Sequence, residues 1–492
     1  MARQQTTAAN DPITLYEGDQ NVEELDADMT ELASVKSPAV IDILPGTVTG
    51  QLSVVDTEFT ENRNNDGAEH LQTWNNPPAN KWRVIAILLG FVLMGMNDAT
   101  TGALLLYIES YYHQNYTIIS LCFLAPAFGY MTSAFLNSNM HIMFGRRGTV
   151  ILGMALMCVA YAVICWAPPL PVTVIAYGIA GLGIGTLDAA WNAFAADLQN
   201  VNEIMGLMHG LYGVGATISP LVSTAMAASG LLWSYYYFIM LAIGVVILCL
   251  NGYAFWGETP AKYLKDHPPG VGEDGESQGR LTEALKNRYT ISLACFLFFY
   301  MGAEVGLGSW IVTFMVTERH GDPASMGAVA SGYWAGLTAG RMILGFVTGR
   351  IGENTMATIY LLLSIVFELV FWLAPSIVAS AIGVALVGVF FGPVFPTAMV
   401  ALTRLLPKRL HVTGIGFAAS IGGGGAAVFP FITGAMAQAK GAWVLQPLVV
   451  ALIGAMILIW ITIPTVEETG LWDRILGKFI RRKGRNNDTE SN

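Results

Sequence analysis

The sequence predicts an all-α membrane protein of twelve transmembrane helices in two pseudo-symmetric six-helix halves. Three observations carry this. Of 492 residues, 54% are hydrophobic and only 12% are charged, about half the charged share of a soluble domain, so lipid is the solvent. Apolar runs of the about 20 residues needed to cross a bilayer as a helix recur from Trp82 onward. Features of the first six runs also return in the last six.

The runs are placed near 83–107, 119–139, 148–167, 171–196, 204–227, 232–256, 289–317, 325–349, 354–374, 377–402, 411–437 and 443–465. A polar loop, 257–288, carries Pro268-Pro269-Gly270 and separates the halves 81–256 and 289–465. Residues 1–80 hold fourteen acids against Arg3, Lys36 and Arg63, which accounts for more than the whole net charge of −10. Such a segment buries too little apolar surface to order itself, and a disordered acidic tail is expected. It lacks the apolar core of a signal peptide, so no cleavage is expected. Residues 466–492 form a basic tail.

Orientation follows from Lys and Arg, which stay on the cytoplasmic side of short loops. With the N-terminus inside, the interior loops and tail collect Arg146, Arg147, Lys262, Lys265, Arg280, Lys286, Arg288, Arg350, Arg404, Lys408, Arg409 and the run from Arg474 to Arg485. The exterior holds Arg319 and Lys440. Both termini are then cytoplasmic, and the sequon Asn115-Tyr116-Thr117 faces out as a candidate glycosylation site. The second sequon, at Asn487, faces in and should be silent.

The repeat is visible in motifs. Gly145-Arg146-Arg147-Gly148 is echoed by Gly349-Arg350-Ile351-Gly352, Asp98 by Glu304, and the Gly181-x-Gly183-x-Gly185 run by Gly383 to Gly392. A parallel repeat of six helices whose halves rock about a central site is the plan of the major facilitator fold. The competing reading, a duplication kept for stability alone, needs neither embedded acids nor a basic loop motif.

Charge at membrane depth costs about 2.5–3.5 kcal/mol per residue even on the mildest scale. Asp98, Asp188, Glu304 and Arg341 are therefore functional candidates. Asp98 lies fifteen residues past Arg83, about 22 Å at the helical rise, and Glu304 lies sixteen past Arg288. A carboxyl in low dielectric favours its neutral form, which suits a carrier that loads and releases a proton. The structural alternative for each acid is a fixed hydrogen-bond or ion-pair partner.

At these residues the chain resembles the fucose:proton symporter type of major facilitator sugar transporter and its fungal relatives. Asn97-Asp98 matches the Asn-Asp of that type's first helix. Leu187-Asp188-Ala189-Ala190-Trp191-Asn192-Ala193-Phe194 is similar to L-E-T-A-A-N-P-F in the fourth. Leu207 to Ala216 resembles L-A-Q-A-F-N-S-L-G-A in the fifth, and Gly340-Arg341 with Arg350, and Phe395-Pro396-Thr397, follow in the eighth and tenth. The resemblance implies a proton-binding acid at Asp188, a sugar-facing acid at Asp98, and His209 and Tyr212 lining the same cavity beside Asn97 and Asn192. The departures, Asp for Glu at 188, Trp for Ala at 191, and His and Tyr for the amides of the fifth helix, imply a changed substrate.

His209 can titrate near neutral pH or serve as a hydrogen-bonded packing residue. Trp191 and Trp334 can stack on the apolar face of a sugar, whereas Trp233, Trp372 and Trp472 read as interfacial anchors. Arg146, Arg147 and Arg350 can clamp the halves on the cytoplasmic side, and the positive-inside pattern explains them equally well. A gating role is preferred for Arg341. Gly422 to Gly425 lack the strand and Lys of a nucleotide loop and read as a site of close helix approach. The five cysteines lie in apolar runs without paired spacing.

The function expected is secondary active transport: proton-coupled symport of a monosaccharide or similar small polar solute by alternating access. Sodium-coupled or facilitative carriage, and a non-transporting sensor, stay open as alternatives. No enzyme chemistry, cofactor, metal or nucleic-acid partner is called for. A monomer in the plasma membrane, rather than in a vacuolar or other internal membrane, is the expectation.

Overall fold

The computed structural model describes residues 72–199, 201–266, 282–407 and 410–464, within the compact unit that begins at Leu71. All but the end of the acidic tail, the Pro-Pro-Gly stretch, Lys408, Arg409, Trp472, the basic C-terminal run and the second sequon lie outside these residues. Among the described residues no strand forms beyond isolated bridges such as Gln72 with Leu198.

The first half comprises α1 (Ala79–Ala103), α2 (Leu105–Tyr112), α3 (Tyr116–Ile119), α4 (Leu121–Ile164), α5 (Leu170–Ala196), α6 (Val201–Ala228) and α7 (Tyr236–Ala254), followed by the short α8 (Pro260–Asp266). The second half comprises α9 (Arg288–Thr317), α10 (Pro323–Ile351), α11 (Glu353–Leu373), α12 (Ile377–Phe391), α13 (Val394–Leu405), α14 (His411–Lys440) and α15 (Leu445–Trp460).

Among the described residues ten stretches are long and apolar enough to cross a membrane. One of them, Tyr116–Ile164, contains two crossings, because Gly145 breaks α4 at φ 66° and ψ 179°, a conformation side-chain-bearing residues avoid. Contacts along α5 display the reversal. Pro126 and Ser133 of the first leg meet Gly181 and Gly185 in parallel order, while Gly153 and Met157 of the second meet Leu187 and Gly183 in antiparallel order. Outside that set, α10 is long enough at 29 residues, its glycines and serines diluting its hydropathy. The crossings among the described residues therefore number twelve.

Three sequence expectations need correction. First, α1 starts four residues earlier than expected, because Pro78 at its N-cap already holds φ −56° and proline suits the first turn, where backbone N–H groups have no helical partner. Arg83 is thus a buried helical residue rather than a boundary marker. Second, the tenth crossing is two helices, α12 and α13, parted at Gly392-Pro393. Third, the register of the repeat differs from that of the Gly-Arg motifs. Left-handed Gly145 is matched by left-handed Gly352, 207 positions on (145 to 352), and not by Gly349. The same offset relates the ion pair Arg146–Asp197 to Glu353–Arg404, with the signs exchanged.

The halves meet along α6 with α10, α1 with α9, and α4 with α14.

Candidate functional site

Cross-half contacts concentrate at one end of the bundle. A methyl built on Gly102 of α1 would stand 2.5 Å from Ser309 Cα of α9, and one on Gly327 of α10 would stand 2.7 Å from the Pro220 carbonyl of α6. Ser120, preceding α4, abuts Gly434 of α14. The Tyr116 N–H donates to Gln438 Oε1 at 2.9 Å. This is the sealed end. At the opposite, basic end the ion pairs Arg83–Glu258, Arg146–Asp197 and Arg404–Glu353 each stay within one half. Between the two ends Asp98 and His209 are exposed although they stand mid-helix. A cavity therefore runs between the halves up to the seal at Gly102, four residues or about 6 Å beyond Asp98.

The wall from the first half holds two carboxylates with matching surroundings. Asp98 accepts from Tyr212 Oη at 2.7 Å and from Asn97 Nδ2 at 3.1 Å, and Asn97 in turn accepts from Tyr161 Oη at 3.1 Å. Asp188 accepts from Tyr130 Oη at 2.5 Å and from Asn192 Nδ2 at 2.8 Å. Each acid thus has one amide from its own helix and one phenol from a neighbouring helix. Among the described residues neither is ion-paired, although each lies within the other's field.

The wall from the second half is different. Arg341 Nη2 pairs with Glu304 Oε1 at 3.3 Å, while Glu304 Oε2 is buried without a partner among the described residues. Arg341 Nε also donates to the Gly392 carbonyl at 3.3 Å, and Tyr300 Oη to the Phe391 carbonyl at 2.9 Å. The cause is local. Pro396 has no N–H, so it leaves the Gly392 carbonyl free of its helical partner at the α12–α13 break, and a buried orphan carbonyl must find a donor. Arg341 is therefore held by an acid and by a carbonyl the sequence itself liberates.

The family matched is decided by the whole length of this architecture. The Major Facilitator Superfamily profile matches residues 87–320 and 293–483. The chain belongs to the Major Facilitator Superfamily. It is similar to bypass of stop codon protein 6 of Saccharomyces cerevisiae, 33% identical over 391 residues that cover 74% of this chain and 78% of that one. The glucose/mannose transporter of Bacillus subtilis is 23% identical over 351 residues, 70% of this chain and 85% of that one. A crystal structure of the Escherichia coli fucose:proton symporter superposes with a TM-score of 0.56 at 17% identity, over 78% of this chain and 98% of that chain, a likeness of fold. This Major Facilitator chain is accordingly a membrane transporter and not an enzyme.

The structure brings Asp98, Asn97, Asp188, Asn192, His209, Tyr212, Glu304 and Arg341 to the two walls. His209 packs edge-on against Phe91, ring centroids 5.4 Å apart, within the fields of both Asp188 and Arg341. Trp191 is not on the wall. It is fully buried, its ring pressed on Gly90 and 6.1 Å from Phe91, because the glycine leaves a slot in α1 that the indole fills. Trp334 is likewise buried, against Gly308. Neither indole is free to stack on a solute in this Major Facilitator conformation.

The basic motif residues do not clamp the halves here. Arg146 pairs with Asp197, Arg147 Nη1 donates to the Trp256 carbonyl at 3.2 Å with its guanidinium over the Trp256 ring, and the Arg147 N–H donates to the Glu258 carbonyl at 3.0 Å. These contacts brace the Gly145 reversal against the end of α5 and the segment after α7. Arg350 is exposed. Asn115 is exposed and caps α3, its Oδ1 accepting from the Ile118 N–H.

Sequence reasoning missed Tyr130, Glu258 and Glu368. Tyr130 was detectable: Pro126, Gly129 and Ser133 form a small-residue face that fits Gly178, Gly181 and Gly185. A side chain beside that face reaches position 188. Glu258 looks like any loop acid until the fold brings Arg83 to it at 2.7 Å. Glu368 is fully buried in α11, and among the described residues neither carboxyl oxygen has a hydrogen-bond partner.

Proposed function

We propose that this chain is a proton-coupled carrier of a monosaccharide-like solute that works by alternating access. The supporting observation is the pair Asp98 and Asp188, which border a water-accessible cavity and are bonded to neutral donors. A carboxylate of this kind can take up a proton without stranding a buried cation. Protonation of Glu304 would leave Arg341 without its counter-charge, and breaking a buried pair from one side costs about 3–5 kcal/mol, so the acids of the first half are the better proton carriers. Asn192, His209, Tyr212 and Asp98 together offer the mixed donors and acceptors that sugar hydroxyls require. The name of the Bacillus subtilis relative supports a monosaccharide.

The basic end is read as cytoplasmic, which makes this an inward-facing conformation with Asn115 outside. The test is uptake by vesicles containing the purified protein. D-glucose, D-mannose, L-fucose and D-xylose are offered under an imposed pH gradient, with sodium replaced by choline. The proton-coupled reading expects accumulation without sodium, and accumulation that needs sodium would replace the proton. Asp188→Asn mimics the protonated carboxyl, so it should retain solute exchange and lose accumulation, because the empty carrier can no longer return without its proton. Wild-type accumulation by Asp188→Asn would move the proton elsewhere, Asp98 first.

A further inference from the structure

We propose that Tyr130 is a positioning residue that sets how tightly Asp188 holds its proton. This rests on the reading of Asp188 as the coupling acid. Tyr130 stands on the first leg of α4, where Gly185 lets α5 come so close that a methyl on it would meet Ser133 Oγ at 2.2 Å and Tyr130 Cα at 3.1 Å. That approach delivers the phenol to Asp188 Oδ2 at 2.5 Å. The other oxygen, Oδ1, is held by Asn192 Nδ2, which at 2.9 Å also donates to the Asp188 main-chain carbonyl.

Both carboxylate oxygens therefore accept from donors, which favours the anion, and a proton arriving from cavity water weakens the bond on the oxygen it joins. Asn192 is on the same helix one turn away, where its second bond, to the Asp188 main-chain carbonyl, keeps Nδ2 beside Oδ1. Tyr130 belongs to another helix and its side chain is partly exposed, and a hydroxyl can accept as well as donate. When Oδ2 takes the proton, the new carboxyl O–H donates to Tyr130 Oη, whose own hydrogen turns to water. The charged and titratable groups around Asp188 are Tyr130 from α4, Asp98 from α1 and His209 from α6, with Arg341 from α10 acting on His209. Tyr130 is the one of these hydrogen-bonded to it among the described residues.

The variant is Tyr130→Phe, which keeps the ring and removes the donor that favours the anion. Folding is not at stake for an exposed ring. In D-glucose vesicles, or those of whichever monosaccharide of the panel is accumulated, the pH of half-maximal accumulation should rise by about one unit. That is about tenfold in proton affinity, with solute exchange retained. A purely structural Tyr130 would lower rates and leave the profile in place. An unmoved profile, with Asp188→Asn still abolishing accumulation, overturns the role of Tyr130 and leaves the coupling acid standing. Loss of exchange as well as accumulation makes Tyr130 a solute contact and overturns it too. Wild-type vesicles without pH-driven accumulation of any panel sugar overturn the coupling reading and this role together.

Discussion

Replacing Gly102 by alanine should tip the carrier out of the conformation described here. The new methyl would lie 2.5 Å from Ser309 Cα, 2.7 Å from its carbonyl oxygen and 2.9 Å from its carbonyl carbon. Ordinary carbon contacts begin near 3.5 Å, so α1 and α9 must separate by about 1 Å. Backbone atoms cannot rotate aside, and overpacking of this kind costs about 1–3 kcal/mol. The cost falls only on the conformation in which the two ends touch. The equilibrium should therefore move toward the opposite conformation by about 5- to 150-fold. The assay is labelling of a single cysteine introduced at His209, on a background with the native cysteines replaced, by a bulky maleimide added at the basic end. Labelling should slow in the Gly102→Ala protein. Gly252 and Gly454 have nothing within 4 Å of an added methyl, so alanine there is the control and should leave labelling unchanged. Equal labelling of Gly102→Ala and the controls would refute the idea that this contact seals the cavity.

Two further outcomes follow from contacts at the two ends. Glu258 is buried between Arg83 and Lys262, so Glu258→Leu alone should cost about 3–5 kcal/mol of stability, while Arg83→Met with Glu258→Leu should cost less than the single change, read by thermal unfolding in detergent. Asn115→Gln should abolish any glycan-dependent mobility shift of the protein expressed in a eukaryotic host, and a shift that survives it would place the glycan elsewhere and remove this support for the proposed orientation.

How much was legible in advance differs by level. Span number and the two-half plan follow from hydropathy and repetition, because lipid forces every backbone polar group into a helix. Even so, α10 shows how a crossing can be real and dilute, since its glycines and serines lower its hydropathy without shortening it. Asp98, Asp188, Glu304 and Arg341 were legible because charge at that depth is costly. Their partners were not. Tyr130, Tyr161 and Tyr212 are ordinary membrane tyrosines in sequence, and helix packing decides which phenol meets which carboxylate. The place of Trp191 was not legible for the same reason: its identity suggests sugar stacking, while in this conformation the slot at Gly90 holds it buried. The register of the repeat misled because Gly-Arg recurs at 349 by composition, whereas the backbone needs its left-handed glycine at 352.

The Glu304–Arg341 pair also bears on how the protein is made. The chain is synthesised from its N-terminus, so α10 reaches the membrane with α9 already complete and α12 and α13 still untranslated. When Arg341 arrives, the Gly392 carbonyl that later shares it does not yet exist. Glu304, 37 residues earlier, does. A lone arginine at the centre of a helix adds about 2.5–3.5 kcal/mol to the cost of insertion, a burden that α10, diluted by glycines and serines, is poorly equipped to meet. Its entry into the bilayer is thus tied to the helix made just before it, and the two behave as a single unit of biosynthesis.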